Sequence, residues 1–430
     1  MRFDLLHPRD QIERVMARIY DREMTTTSGG NISIRDGDEV WMTPARVDKG
    51  RLTRADMARV GFDGSVLGGA HKPSSECPFH LGIYKARPDI GAIIHAHPGA
   101  LVSFSICGQV PDTAVFPEAR ARCGEVTFAP YALPGSEQLG ENIAAQFAAS
   151  KNTFCVVLEN HGVVVGGSDL DDAFKRFETL EFTARMLLRA RQLGEARRID
   201  DQQLALYLDR GNPLPSLPSQ EPTNRERELR KDIRDFVRRA YHHGLMTSTW
   251  GSLSARLGDD HFLITPYGVD RAQLEIEDPV VVKAGQCPEG ARPSRAVDLH
   301  RAIYRAHPGV EAIVNALPVS ASAFSISEEP LDSRTIPESY LFLRDVPVIG
   351  FDELVPDPAS AASKVGPDHP VALLRHNGAL VAGKSVLDAF DRLEVLEATA
   401  TAILDSRALG PVNPMSDAVI DELDQAFGRV

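Results

Sequence analysis

The sequence lacks paired cysteines, long apolar runs and long basic runs, and each absence excludes a class of protein. Five cysteines are scattered over 430 residues without a CxxC motif, which argues against a disulfide framework or a cysteine metal site and favours a reducing cytoplasm. No apolar stretch reaches the length of a membrane span, and the first residues show no signal-peptide pattern. The net charge of −13 argues against a nucleic-acid or membrane partner. We therefore expect a cytoplasmic protein with neither partner.

An internal repeat indicates that the chain contains two copies of one domain, and its length is sufficient for both. Residues 24–35 resemble residues 246–256, and residues 171–178 resemble residues 387–394. A period this long indicates a duplicated domain rather than a solenoid. The proline-rich stretch between the copies cannot continue a helix or strand, so it is the predicted linker. The predicted division is a first domain over residues 1–210, a linker over 211–224 and a second domain over 225–430.

Hydrophobic periodicity and turn residues predict the main elements of the first copy. A helix that Ser74 or Ser75 can cap is expected to end near Arg87. The other predicted elements are helices over residues 8–23 and 170–193, a hairpin of residues 32–35 and 39–43, and an apolar strand over residues 155–162 that pairs with residues 163–165.

Three histidines stand at the ends of apolar runs in the first copy. His95 and His97 are separated by one residue, so in a strand both side chains point to the same face. His161 ends the second apolar strand. Three imidazoles leave coordination positions open, which is typical of a catalytic divalent-metal site. The alternative is that each histidine is an ordinary core residue at a strand end.

Several polar residues around these histidines are candidates for catalysis and substrate binding. Glu76 precedes a predicted helix, where it is either a general base or a first-turn glutamate favoured by the helix dipole. Five further residues form an anion cradle if they converge, and otherwise serve capping and turns: Gly30, Asn31, Thr43, Ser74 and Ser75.

The second copy differs from the first at the candidate site. His95 and His97 are replaced by Asn315 and Leu317. The pair 160–161, Asn-His, becomes His-Asn at residues 376–377, and Glu76 aligns with an alanine. His80 and His300 occupy matching helical positions, which indicates a packing or hydrogen-bonding role in both copies. The second copy therefore keeps the fold pattern and loses the candidate ligands.

The motifs of the first copy resemble those of the class II aldolase/adducin family. The resemblance spans about residues 8–193, and the second copy fits over about residues 226–409. It implies two α/β/α sandwich domains, each around a mostly antiparallel sheet. The matching motifs are residues 29–33 (GGNIS), 43–44 (TP), 73–76 (PSSE), 95–98 (HAHP) and 160–162 (NHG).

The resemblance also implies a metal and a chemistry. A divalent ion, usually zinc and sometimes manganese, would bind to His95, His97 and His161. Glu76 would be a resting ligand or the general base. The glycine-rich loop, Thr43 and the serine pair 74–75 would hold a phosphate or a carboxylate.

Two departures from the family pattern bear on the substrate. The residues after the TP motif are Ala45 and Arg46 where sugar-phosphate members usually carry Ser-Gly, so Arg46 is a candidate partner for a substrate carboxylate or a plain surface arginine. The aldolases use a tyrosine acid shortly after the histidine pair, and residues 114–120 contain none. The second copy has Glu338 and Tyr340 at the equivalent place. They either complete the first domain's site, as a neighbour does in the family's rings, or simply pack in their own domain.

The sequence thus predicts a divalent-metal-dependent lyase that cleaves or forms a C–C bond beside a chelated hydroxy/carbonyl pair, through an enediolate. Retro-aldol cleavage of a hydroxy-carbonyl compound is the first candidate reaction. Decarboxylation of a hydroxy-acid and epimerisation are alternatives, and an adducin-like scaffold without catalysis is the non-enzymatic one. If the four-domain ring of the family is kept, two chains form a homodimer with two active metal sites.

Overall fold

The computed structural model describes residues 3–209, 213–218 and 220–428. The chain divides into two compact units, the first comprising Met1–Thr113 and Glu118–Arg185, the second Ala114–Pro117 and Met186–Val430. Part of the predicted linker, residues 211, 212 and 219, lies outside the described residues.

The first unit is built around an eight-stranded sheet in the part of the chain that is described. Its strands are β1 (Asn31–Asp36), β2 (Glu39–Met42), β3 (Ala58–Gly61), β4 (Val66–Gly68), β5 (Ala92–Ala96), β6 (Val126–Ala129), β7 (Cys155–Leu158) and β8 (Val163–Gly167). The order is β4-β3-β2-β1-β5-β8-β7-β6, and β6 with β7 is the parallel pair in an otherwise antiparallel sheet.

Helices cover both faces of this sheet. They are α1 (Pro8–Asp21), α2 (Cys77–Ala86), α3 (Gly99–Ile106), α4 (Pro117–Cys123), α5 (Glu137–Ala149) and α6 (Leu170–Ala190). One core joins α2 and α5 to the sheet through Phe79, Phe147, Ile93 and Val164. On the other face α1 packs against β1, and α3 against β7 and β8. Since β5, β7 and β8 are buried along their whole length, their sequences are continuous apolar runs.

The start of α2 differs from the prediction. Glu76, rather than Ser74 or Ser75, occupies the N-cap position. The Ser74 hydroxyl accepts a hydrogen bond from the Glu76 main-chain N–H at 3.3 Å, so it closes a turn just before the helix.

The second unit has a seven-stranded sheet among its described residues, in the order β12-β11-β10-β14-β17-β16-β15. The strands are β10 (Ser252–Gly258), β11 (His261–Ile264), β12 (Val280–Lys283), β14 (Ala312–Ala316), β15 (Val348–Ile349), β16 (Val371–Leu374) and β17 (Gly378–Gly383), with a separate pair of β9 (Ser216–Leu217) and β13 (Cys287–Pro288). β15 and β16 are parallel, and the other neighbours in the large sheet are antiparallel.

Helices cover both faces of the second sheet as well. Val314 and Ile313, neighbours on β14, belong to two different cores, because successive strand residues point to opposite faces. The helices are α7 (Asp201–Leu208), α8 (Asn224–His242), α9 (Val297–Ala306), α10 (Val319–Ser325), α11 (Pro337–Leu343), α12 (Phe351–Leu354), α13 (Pro358–Ala362), α14 (Val386–Ser406) and α15 (Asp417–Phe427). Short 3₁₀ helices in the chain are Phe3–Leu5, Lys49–Arg51, Arg54–Asp56, Thr113–Val115 and Arg271–Gln273.

The expectation that the proline-rich stretch holds no strand is wrong at one place. Ser216–Leu217 pairs in parallel with Cys287–Pro288, and the Cys287 N–H donates to the Pro215 carbonyl oxygen at 3.0 Å. Proline restricts the residue before it to extended backbone and keeps its own carbonyl acceptor, so a short strand fits there.

Apart from the additional edge strand β4 of the first sheet, the two units share one topology, which confirms two α/β/α sandwiches around mostly antiparallel sheets. The equivalent strand pairs even keep the same register: Asn31 lies opposite His95, and Ser252 opposite Asn315. All five cysteines are free thiols. Among the described residues, no helix combines the length and the apolar character needed to cross a membrane.

Candidate metal centre

The structure brings the three candidate histidines of the first unit together. His95 lies near the end of β5, His97 follows that strand, and His161 stands in the turn between β7 and β8. One ring nitrogen from each lies within 4.8 Å of the others. The Nε2 atoms of His95 and His97 are 3.1 Å apart, close to the spacing of about 3.4 Å between two nitrogen ligands of a tetrahedral zinc ion.

Two small residues hold the turn that carries His161. The Ser105 hydroxyl donates to the Leu158 carbonyl oxygen at 2.6 Å and accepts the His161 N–H at 2.9 Å. A Cβ on Gly162 would lie 2.6 Å from Cδ2 of His97, so only glycine lets this turn approach the end of β5.

His95 and His97 are held as neutral imidazoles. His95 is fully buried and its Nδ1–H donates to the Val163 carbonyl oxygen at 2.9 Å, so its Nε2 lone pair faces the other histidines, 3.1 Å from His97 Nε2. Burial, with the neighbouring His161, lowers the pKa of His95 to about 3. Burial, with His95 and His161, lowers the pKa of His97 to about 3 as well. Neutral imidazole is the form that binds a metal, so the donor set fits a divalent ion.

The Glu76 carboxylate faces the same point. Its Oε2 lies 3.3 Å from His95 Nε2, and its Oε1 lies 3.6 Å from His161 Nε2. The Asn31 side-chain amide donates to Oε2 at 2.7 Å. The carboxylate is therefore fixed beside the three nitrogens, where it can ligate an ion or exchange a proton with a bound molecule.

A buried chain of hydrogen bonds stands behind Glu76. Because the Asn31 amide donates to Glu76, its oxygen accepts from His80 Nε2–H at 2.5 Å. His80 Nδ1 then accepts from the Ser33 hydroxyl at 2.7 Å, and Ser33 accepts from the Tyr84 hydroxyl at 2.8 Å. Burial lowers the pKa of His80 to about 3, so it is neutral and donates from one nitrogen only. Every donor in the chain points toward the Glu76 carboxylate.

The second unit keeps most of this series of hydrogen bonds but not the candidate metal site. Ser254, His300 and Tyr304 repeat the same contacts at 2.7 and 2.8 Å. The oxygen of Asn315, which stands where His95 stands in the first unit, accepts from His300 Nε2–H at 2.8 Å. The matching sequence positions of the two histidines predict only a packing or hydrogen-bonding role for them. The identity of the serine, histidine and tyrosine between the two copies is the signal that would have identified the network.

The glycine-rich loop lies against the end of β5. Gly30 has φ of +73°, and a Cβ there would lie 2.6 Å from the His95 carbonyl oxygen. Only glycine combines this backbone with this approach. The loop thereby delivers Asn31 to the start of β1, opposite His95.

The predicted hydroxyls of the anion cradle have different environments. The buried Thr43 hydroxyl accepts the Ile32 N–H at 3.1 Å, and the Thr43 carbonyl oxygen accepts the Ser74 N–H at 3.2 Å. Ser74 closes the turn to Glu76, and Ser75 is exposed. Thr43 and Ser74 thus connect the loop segments around the site, and the Ser75 side chain faces solvent.

The remaining predicted residues are exposed or bonded within their own unit. Arg46 is exposed and has φ of +57°. In the second unit the Tyr340 hydroxyl donates to Asp424 at 3.0 Å, Arg344 pairs with the same carboxylate at 2.8 Å, and Glu338 is exposed. The role of Glu338 or Tyr340 at the first unit's site stays a prediction.

Comparison with known proteins identifies the same two regions. The family model described as Class II Aldolase and Adducin N-terminal domain matches residues 10–188 and 231–404.

Individual relatives match about half of the chain. An L-fuculose phosphate aldolase of Methanocaldococcus jannaschii is 35% identical over 178 residues, 41% of this chain and 94% of the relative. A 3-oxo-tetronate 4-phosphate decarboxylase of Haemophilus influenzae is 37% identical over 172 residues, 39% of this chain and 80% of the relative. Among solved structures, YgbL of Klebsiella pneumoniae is 29% identical with a TM-score of 0.43, covering 48% of this chain and 98% of its own.

Proposed function

The chain belongs to the class II aldolase and adducin N-terminal domain family, and on that premise we propose that it is a metal-dependent carbon–carbon lyase. One observation carries the proposal: ring nitrogens of three histidines converge, and a carboxylate is fixed 3.3 Å from one of them. The relatives named as an aldolase and a decarboxylase both break a C–C bond next to a carbonyl group, which supports the same reaction class here.

The donor set supports a divalent ion held by His95, His97 and His161. Zinc is the first choice and manganese the alternative, because imidazole ligands suit both. When bound, such an ion acts as a Lewis acid toward a neighbouring hydroxy and carbonyl pair of the substrate. The substrate is accordingly a small hydroxy-carbonyl compound or hydroxy-acid.

Glu76 is the residue that holds or moves the proton. In retro-aldol cleavage a base removes the proton of the hydroxyl on one carbon, the C–C bond breaks, and a proton later returns to the other carbon. Asn31 fixes Oε2 of the carboxylate, and Oε1 is the atom that faces His161. This arrangement favours Oε1 as the atom that exchanges the proton.

Substrate anchoring is proposed for the loop segments around the site. Gly30, Asn31, Thr43, Ser74 and Ser75 would surround a phosphate or carboxylate, and Arg46 would pair with a second charged group. The related aldolase and decarboxylase are both named for phosphorylated substrates, which supports an anion at this place.

Decarboxylation is the second candidate. Loss of CO₂ needs no base to remove a hydroxyl proton and requires only that a proton return to carbon. Residues 114–120 contain no tyrosine to act as an additional acid, and a decarboxylase is 37% identical over 172 residues. Epimerisation is the third candidate.

A product assay separates these reactions. The full chain, supplied with Zn²⁺ or Mn²⁺, is incubated with a phosphorylated hydroxy-ketone and with a phosphorylated 3-oxo-acid, and released aldehyde and CO₂ are measured. We expect turnover of one of them, and a loss in Glu76→Gln of about 10²–10⁴-fold in kcat, the usual worth of a general base. An Ala296→Ser variant, at the equivalent place in the second unit, is the matched control and keeps full activity. Turnover unchanged in Glu76→Gln would contradict the assignment, and no turnover with any metal would favour an adducin-like scaffold.

A further inference from the structure

A cavity with charged walls lies within the second unit. It has a volume of about 520 Å³, within the range of small-molecule sites, and opens at the carboxyl ends of the parallel strands β15 and β16. Asp352 follows β15, Arg375 and His376 follow β16, and Arg197 approaches from the segment between α6 and α7. Carboxyl ends of neighbouring parallel strands are a common place for ligands in α/β sheets.

The cavity holds more positive than negative charge. Nη1 of Arg375 donates to the carbonyl oxygens of Ser325, at 3.2 Å, and Ser327, at 2.5 Å. These carbonyls orient the guanidinium but leave its charge uncompensated. Burial, with the charge of Arg197, lowers the pKa of Arg375, as expected when two cations stand together. Asp352 lines the same cavity, and Arg197 forms an ion pair with Glu328.

His376 contributes a ring nitrogen of fixed orientation to the wall of the same cavity. Its side chain is buried, and Nδ1–H donates to the Val115 carbonyl oxygen at 2.9 Å within the second unit. The other ring nitrogen is thereby left for a ligand. The backbone of His376 has φ of +60°, which holds the residue in the tight turn after β16.

The equivalent position of the first unit carries the opposite charge. Glu159 follows β7 there as Arg375 follows β16, and its carboxylate accepts the Tyr131 N–H at 2.8 Å. The charge reversal occurs in the copy that has lost the metal ligands. The second unit therefore has a positively charged side chain, Arg375, at the end of its sheet where the first unit has a negatively charged one.

A cavity in the first unit provides a comparison, because its arginines are paired with carboxylates and so have a structural role. It is also lined by three arginines, but each of them is paired with a carboxylate at 2.8 to 3.0 Å. The pairs are Arg120–Glu125, Arg122–Glu118 and Arg176–Asp172. Arg375, in contrast, has only main-chain carbonyls as its hydrogen-bond acceptors among the described contacts.

We propose that the cavity at the ends of β15 and β16 binds a small oxyanion, a phosphate or carboxylate group, through Arg375 with Arg197 and His376. A planar guanidinium matches two oxygens of such a group. The neutral His376 ring accepts a hydrogen bond from the OH group of hydrogen phosphate, whereas only the protonated ring donates to a carboxylate. The site is separate from the proposed lyase centre and does not depend on it.

Calorimetric titration of the full chain with inorganic phosphate, against chloride at equal ionic strength, tests this site. Malonate is titrated in a second series to distinguish phosphate from carboxylate preference. We expect saturable binding of at least one anion, weakened about tenfold or more in Arg375→Gln, in line with one lost charge-assisted pair. Arg120→Gln, from the cavity with paired arginines, is the matched control and should bind as the wild type does.

Further variants keep the test decisive. Arg197→Gln changes a side chain that is more than half exposed, so it folds even if Arg375→Gln does not, and it should weaken binding several-fold. Ser75→Ala weakens any second binding event at the proposed anion cradle of the first unit and should leave the binding that depends on Arg375 unchanged. Binding that survives in both arginine variants, binding lost only in Ser75→Ala, or no saturable binding of either anion overturns the proposal.

Discussion

His80 is the residue at which a positioning role can be separated from simple packing, because the second unit repeats its environment at His300. Both histidines are fully buried and bonded to a serine and an amide oxygen. In the first unit alone, the amide passes on to the carboxylate of Glu76.

We expect His80→Gln to lower kcat about ten- to a hundredfold with little change in KM, because a misplaced catalytic group costs rate rather than binding. His300→Gln should cost similar stability, about 1–3 kcal/mol for a broken buried hydrogen bond, and leave kcat unchanged. Steady-state kinetics and urea unfolding of both variants check this. Equal losses of kcat in the two variants would reduce His80 to a packing residue.

The pH dependence of stability should report His300 directly. Burial lowers its pKa to about 4 in the folded state, whereas an unfolded histidine has a pKa of about 6.5. Below pH 6.5 the unfolded chain therefore binds a proton that the folded chain does not, so stability falls as pH falls toward 4. The contribution is about 1.4 kcal/mol per pH unit. Urea unfolding of the wild type should lose this increment relative to His300→Gln, and parallel pH profiles would contradict the assignment.

At the residue scale, the sequence predicted the convergence of the three histidines better than the side chains that support them. Spacing alone placed His95 and His97 on one face, since side-chain direction in a strand is a local property. The series of hydrogen bonds from Tyr84 to Glu76 joins a strand to a helix that lies more than forty residues away in the sequence. Such contacts depend on tertiary packing, which periodicity does not contain.

Among the elements, the turn between β7 and β8 sets the geometry of the centre. It carries His161 and approaches the end of β5 so closely that a Cβ on Gly162 would lie 2.6 Å from His97. Gly378 occupies the equivalent turn of the second unit, where a Cβ would lie 2.2 Å from the Ala316 carbonyl oxygen.

We expect Gly162→Ala to destabilise the chain by about 1–3 kcal/mol, as overpacking does, and to weaken metal binding because His97 must move. Gly378→Ala should cost comparable stability and leave metal affinity unchanged. Competition titration with a chromogenic chelator measures the affinity. A Gly162→Ala chain with wild-type affinity would show that the close approach does not hold the site.

Long periodic elements were predicted well, and short or edge elements were not. The predicted helix over residues 8–23 is Pro8–Asp21, and that over 170–193 is Leu170–Ala190, because amphipathic periodicity persists over many turns. The two-residue strand in the proline-rich stretch escaped prediction, since its one partner, Cys287–Pro288, is remote in sequence. The sandwich around a mostly antiparallel sheet was predicted from the family resemblance rather than from local patterns.

For the whole molecule, the duplication with one changed copy indicates that the two units have different roles. Both units keep the sandwich and the buried serine–histidine–tyrosine contacts, and the described residues show a three-histidine cluster in the first unit. A chain with two such units can supply half of a four-domain ring.

We expect the chain to form a homodimer in solution. Two chains would then provide the four domains and two metal sites of such a ring. Multi-angle light scattering over a range of protein concentrations measures the mass, and a stable monomer at micromolar concentration would contradict the ring.

The metal content of the purified chain tests the proposed centre most directly. After loading with Zn²⁺ or Mn²⁺ and exhaustive dialysis, the wild type should retain about one divalent ion per chain, since the three-histidine cluster found among the described residues lies in one unit. His161→Ala should lose that ion, and Asn377→Ala, at the equivalent turn of the second unit, should keep it. A wild type that retains no ion, or a His161→Ala chain that retains as much as the wild type, would contradict a single catalytic metal centre in the first unit.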